Sequence, residues 1–137
     1  MRSTPRPPSL LVTSGLVELA AGALSGWVYT FVHTQPEQAR ALGIESGDRI
    51  RQWHLDLAIL GTATVACARA VPDAPRPVAA ALGVGAWTNA MAFLPMAFRP
   101  GIDRTLPFRA AVAASFVATS VGFTGMAATA IRRRRRG

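Results

Sequence analysis

Seven side chains in this sequence sit in otherwise apolar surroundings, where each one is costly unless it has a partner or performs some chemistry. They are Glu18, His33, His54, Asp56, Arg69, Asn89 and Arg109. The most informative run is Trp53-His54-Leu55-Asp56-Leu57-Ala58-Ile59-Leu60-Gly61. At about 100° per residue, His54, Leu57, Ala58, Gly61 and Val65 share one helical face, and Asp56 lies roughly 200° round from His54. A neutral imidazole binds metals or carries protons. The small Ala58 and Gly61 beneath it predict a groove along that face, wide enough for a flat ligand to approach the backbone. An interfacial hydrogen bond is the plainer role for the same ring.

The second feature is Gly83-Val84-Gly85-Ala86-Trp87-Thr88-Asn89-Ala90-Met91-Ala92-Phe93. Asn89 falls about 16 Å along a helix from Val78, and an amide at that depth demands either an interhelical hydrogen bond or a ligand. Glu18 lies about 12 Å past the start of the first apolar run, too deep to reach water, and is expected to face other helices. Arg69 and Arg109 are within a turn of a run's end and can extend to the interface. His33 and His54 fall near the same boundary on neighbouring runs, the placement with which a b-type cytochrome clamps heme iron between two imidazoles. With one cysteine and two histidines a structural zinc site lacks ligands, and no internal disulfide can form. Cys67 is expected to pack. No catalytic triad or phosphate loop is present.

The elements that must position these groups are apolar. The chain has 137 residues, 50% of them hydrophobic and 16% charged, with a mean hydropathy of +0.27. One domain fits this length, and a soluble one is disfavoured because the polar residues are bunched instead of spread. Four apolar stretches, 10–33, 53–71, 78–98 and 106–131, each approach or exceed the ~20 residues that cross a bilayer core. The predicted fold is all-α, a four-span membrane bundle with antiparallel neighbours. Arg2 and Arg6 before an apolar run suggest a signal peptide, but Glu18 inside that run and three later stretches favour a first span. No lipidation motif is seen.

The charge of +8 comes from 15 basic and 7 acidic residues, and all the basic ones are arginine. Its concentration in Arg132 to Arg136, directly after an apolar stretch, points to lipid headgroups and away from nucleic acid. Arg2, Arg6, Arg69, Arg76 and that tail fall on one side, Arg40, Arg49, Arg51, Arg99, Arg104 and Arg109 on the other. The first set is larger, which predicts both termini in the cytoplasm and location in the inner membrane. The proline-rich Pro72 to Pro77 segment predicts a tight hairpin. Pro36-Glu37-Gln38-Ala39-Arg40 predicts a short interfacial helix with proline at its first position. Gly22 and Gly26, and the small residues Ala110, Ala111, Ala113, Ala114, Ala118, Ser120, Gly122 and Gly125, are expected at helix contacts.

The His54-Leu55-Asp56 element with Gly61 seven residues after the histidine, and the Gly85-Ala86-Trp87-Thr88-Asn89 element one span later, resemble the small four-helix membrane isomerases that include styrene oxide isomerase and hydroxylaminobenzene mutase. The resemblance covers about a third of the chain. It implies a homotrimer carrying heme b with His54 as axial iron ligand, Ala58, Gly61, Trp87 and Phe93 around the cofactor, and Asn89 as the catalytic polar group. The implied chemistry is a redox-neutral rearrangement of a small hydrophobic epoxide or aryl hydroxylamine admitted from the bilayer. Where styrene oxide isomerase has an amide before the glycine and a tyrosine four residues after the asparagine, this chain has Leu60 and Phe93; Asn89, Thr62 or Thr88 would then orient the reacting oxygen. Two other functions fit the residues: a bis-histidine electron carrier using His33 and His54, and a cofactor-free packing or transport subunit in which Glu18 and Asp56 handle protons or pair with arginine.

Overall fold

Ser9 starts the first helix. Its side-chain oxygen accepts from the Val12 N–H at 3.3 Å, and α1 then runs Leu10–Thr34. In the computed structural model, which describes residues 7–137, α2 (Pro36–Ala41) follows, then α3 (Gly47–Ala70), α4 (Arg76–Met91), α5 (Phe93–Phe98), a 3-10 turn at Ile102–Arg104, and α6 (Leu106–Arg134). No strand occurs among the described residues. Arg2 and Arg6 lie outside them.

Three boundaries differ from the apolar stretches, each for a local reason. Helix α3 begins at Gly47, not Trp53, because Ser46 caps it through Arg49 N–H (3.4 Å) and Asp48 sits in its first turn. The third stretch is broken at Ala92: Pro95 has no N–H for the Met91 carbonyl and its ring crowds that turn, so α4 ends and α5 restarts. Helix α6 runs beyond Ile131 through Arg134, where cationic side chains meet the negative end of the helix dipole. The short helix after Pro36 and the hairpin before Arg76 are where the sequence places them.

Helices α1, α4 with α5, and α6 are long and apolar enough to cross a membrane. Helix α3, which carries Asp48, Arg49, Arg51, Asp56 and Arg69, is not among them. Large apolar side chains face outward on the three spans, among them Leu24, Trp27, Val84, Phe116 and Val117. Such a surface matches lipid tails and not water.

The interior is made by glycine. Lipid offers no hydrophobic drive for helices to associate, so backbones must approach closely. A Cβ on Gly22 would fall 2.7 Å from the Ala58 nitrogen, and one on Gly15 would fall 2.9 Å from the Gly61 oxygen and the Val65 side chain. The opposed numbering makes α1 and α3 antiparallel. The same device joins α4 to α6: a Cβ on Gly122 would sit 2.6 Å from the Leu82 nitrogen, and one on Gly125 2.7 Å from Val78. Cys67 packs beside Val71, Leu82 and Met126 as expected. The remaining small residues of α6 are another matter. Ala110, Ala111, Ala113, Ala114 and Ser120 are exposed in the single chain, because only the Gly122–Gly125 side of that helix turns inward.

Two ends result. At the tail end lie Ser9, the α3–α4 hairpin and the arginine run, joined by Arg133 to Asp73 at 3.2 Å. At the far end the Ala97 carbonyl accepts from the Glu45 and Ser46 N–H groups, tying the α2–α3 connection to α5 over a core of Val32, Ala39, Ile44 and Ile50.

Candidate ligand site at His54

His54 lies on α3 near the far end, facing the stripe of α1 formed by Gly15, Glu18, Gly22, Ser25 and Tyr29. The spacing of three and four residues keeps that stripe on one side of the helix. The imidazole Nδ1 is 2.8 Å from the Gly22 carbonyl and 3.2 Å from Ser25 Oγ, and Ser25 Oγ itself donates to the Gly22 carbonyl at 2.7 Å. A carbonyl can only accept, so Nδ1 carries the proton, and Ser25 Oγ serves as a second acceptor. The Nε2 lone pair is left over, with no hydrogen bond among the described residues. Gly26 makes room for the ring: a Cβ there would fall 3.2 Å from Cε1. Tyr29 lies 6.0 Å away, nearly parallel at 7°, and the exposed His33 stands one turn further out, 6.0 Å from the Tyr29 ring. Both histidines therefore neighbour the same tyrosine ring.

The groove expected over Ala58 and Gly61 is absent, because α1 fills it. Gly61 receives the backbone of Gly15 and Leu19, and Ala58 that of Gly22. Small residues along a face announce close approach, and here the approaching body is another helix.

The other residues singled out by the sequence lie elsewhere. Asn89 and Phe93 line a cavity of about 320 Å³ between α4, α5 and α6, with Phe108, Arg109, Val112 and Phe116, and Asn89 makes no side-chain hydrogen bond among the described residues. Trp87 faces a different cavity and donates its indole N–H to Ser14 Oγ at 3.0 Å. Thr62 donates to the Ala58 carbonyl at 2.7 Å on the exposed side of α3, and Thr88 meets Ser115 Oγ at 2.8 Å. Within one chain, His54 and Asn89 thus open on different interfaces. Arg69 and Arg109 are exposed, Asp56 is half-buried, and Glu18 is fully buried.

Sequence reasoning missed Ser25, the Gly22 carbonyl, Tyr29 and Thr64. A signal for the first three existed: Glu18, Gly22, Ser25 and Tyr29 repeat at four, three and four residues in an otherwise apolar helix. Among the described residues no three His, Cys, Asp or Glu side chains converge as a metal cluster. Compared with protein-family models, curated proteins and solved structures, the chain matches none.

Proposed function

We propose that this chain is a heme-dependent, redox-neutral isomerase or mutase, with His54 as the single protein ligand to heme b. The observation that carries the reading is the fixed imidazole: Nδ1–H held by the Gly22 carbonyl and Ser25 Oγ, with Nε2 free. Metal-binding histidines are oriented in this way, since the second nitrogen's hydrogen bond fixes the tautomer and raises ligand basicity. The donor chemistry therefore fits an iron porphyrin bound on one side.

In this reading, α3 is a fourth span. Between Asp56 and Arg69 it has twelve uncharged residues, about 18 Å of helix, flanked by α1 and α4. Arginine placement puts both termini in the cytoplasm of an inner-membrane protein. A homotrimer is the assembly implied by the resemblance. It also supplies a reason for the separate locations of His54 and Asn89, because a site shared between copies can draw on two faces of one chain. When bound, the cofactor supplies a Lewis-acidic open coordination position. The chain's own residues do the rest. Gly22 and Ser25 hold the imidazole, the Asn89 amide is free to orient a substrate oxygen, and Phe93, Phe108 and Phe116 provide an apolar wall for a small epoxide or aryl hydroxylamine.

The deciding measurement is an optical spectrum of the purified, detergent-solubilised protein. A high-spin five-coordinate heme is expected, lost in His54→Ala and restored by added imidazole. A low-spin six-coordinate heme that also requires His33 would convert the reading to an electron carrier. Colourless protein from heme-sufficient cells overturns both.

A further inference from the structure

Glu18 is the most conspicuous group that the His54 site leaves unused. It is 0% exposed, and neither carboxyl oxygen has a hydrogen-bond partner; Thr64, also 0% exposed, has an unpartnered hydroxyl. The two belong to facing stripes. Gly61, one turn before Thr64, receives the backbone at Leu19, while Val65 packs on Gly15. Glu18 and Thr64 are therefore within about one helical turn of each other along the α1–α3 contact. Leaving three buried oxygens unsatisfied is costly, and no basic side chain meets them: among the described residues the one ion pair is Arg133 with Asp73.

A way in exists. A cavity of about 720 Å³, within the range of small-molecule sites, opens at the tail end between α1, α3 and α4. Its walls are mostly apolar, including Leu11, Ala79, Val84 and Met126, and Ser14 on α1 and Ala68 on α3 are the lining residues of those helices furthest from the tail end. Ser14 is one turn from Glu18 on α1, and Ala68 is one turn from Thr64 on α3. Trp87 donates to Ser14 Oγ on the cavity wall, one turn from Glu18. Arg76 also lines the cavity, eleven residues before Trp87 and about 16 Å away along the helix.

We propose that this cavity and Glu18 form a binding site for a lipophilic organic cation, whose apolar body fills the cavity and whose positive centre displaces the Trp87–Ser14 bond to reach Glu18 and Thr64. The carboxyl that has no partner within the chain finds one in the ligand. An acyl chain would suit the walls but would leave the three oxygens as they are. The cavity opens at the end away from His54, and Glu18 lies on α1 one turn to the tail side of Gly22, so the proposal does not rest on heme binding.

Equilibrium dialysis of the full chain in zwitterionic nanodiscs, with tetraphenylphosphonium as the probe, tests the proposal. Saturable binding at one probe per chain is expected, at least tenfold weaker in Glu18→Gln and in Ala80→Trp, whose ring occupies the cavity and leaves the carboxyl in place. The His54-dependent heme spectrum should be unchanged in both. Absence of saturable binding to folded wild-type protein overturns the proposal, as does equal affinity in Glu18→Gln, which would assign the cavity to a lipid chain or a second copy. If Glu18→Gln does not fold, competition by uncharged tetraphenylsilane decides. Failure to compete supports a cation site, and equal competition removes it.

Discussion

Helix pairs α1–α3 and α4–α6 are built by the same device and used differently. Both are antiparallel, and both bring backbone onto glycine, Gly15, Gly22 and Gly61 in one pair and Gly85 and Gly122 in the other, where Gly125 receives the Val78 side chain. In α4–α6 the buried polar residue, Ser115, is matched: its Oγ meets Thr88 Oγ1, and its carbonyl accepts from Thr119. In α1–α3 the interface contains a fixed imidazole with a spare lone pair, a carboxyl without partners and a hydroxyl without partners. A bundle that only had to hold together would repeat the first solution. Unsatisfied groups in a membrane interior are expensive, and among the described residues the fully buried ones are confined to α1–α3, while the half-buried Asn89 amide faces the cavity beside α6.

The largest effects should follow from the shared device. Gly22→Ala and Gly122→Ala each place a Cβ against backbone that cannot yield, 2.7 Å from Ala58 N and 2.6 Å from Leu82 N. Alanine gains up to about 1 kcal/mol over glycine in helix propensity, but forced overpacking costs about 1–3 kcal/mol and more where backbone must move. Net destabilisation is expected in both, read as thermal unfolding of the detergent-solubilised protein several degrees or more below wild type. A second readout separates the pairs. In the fraction still folded at 4 °C, Gly22→Ala should lose the heme proposed at His54, because the Gly22 carbonyl moves away from the imidazole. Gly122→Ala should retain it. Equal heme loss would remove the distinction drawn between the two interfaces.

Smaller changes, opposite in sign, are expected from one substitution made in both pairs. Thr88→Val strands the buried Ser115 hydroxyl and should lower stability by about 1 kcal/mol. Thr64→Val replaces a hydroxyl that bonds to nothing with a methyl of similar size and should raise stability by about 1 kcal/mol. Matched thermal melts of the two variants check the contrast. Destabilisation by Thr64→Val would show that its hydroxyl is satisfied in the membrane.

What the sequence revealed follows from which forces are local. Hydropathy located α1, the α4–α5 segment and α6, since each span must bury its own backbone groups. The helix at Pro36 and the hairpin before Arg76 were legible from proline stereochemistry. The early start of α3 was also written locally, in Ser46 and Asp48, but an apolar window passes over such polar residues. The partners of His54 and Glu18 were not legible, because they depend on how α1 docks on α3. The register of two smooth helices is set by a few glycine contacts distributed over both. The groove at Ala58 and Gly61 was misassigned for the same reason: a small-residue face reads identically whether a ligand or a helix covers it.

The smallest expected effect comes from the one charge pair among the described residues. Asp73 and Arg133 are 3.2 Å apart, but their side chains are 60% and 59% exposed. Water and salt screen such pairs, which contribute between nothing and about 1 kcal/mol. Asp73→Asn should therefore shift the melting temperature by no more than a degree or two, and added salt should erase even that. The contrast with the α1–α3 interface concerns burial and not the number of charges, since an acidic residue with an arginine beside it matters less here than a buried one with nothing. A large loss of stability in Asp73→Asn would mean that the arginine tail is a clamp on the hairpin, and that electrostatics hold the tail end together where the cavity opens.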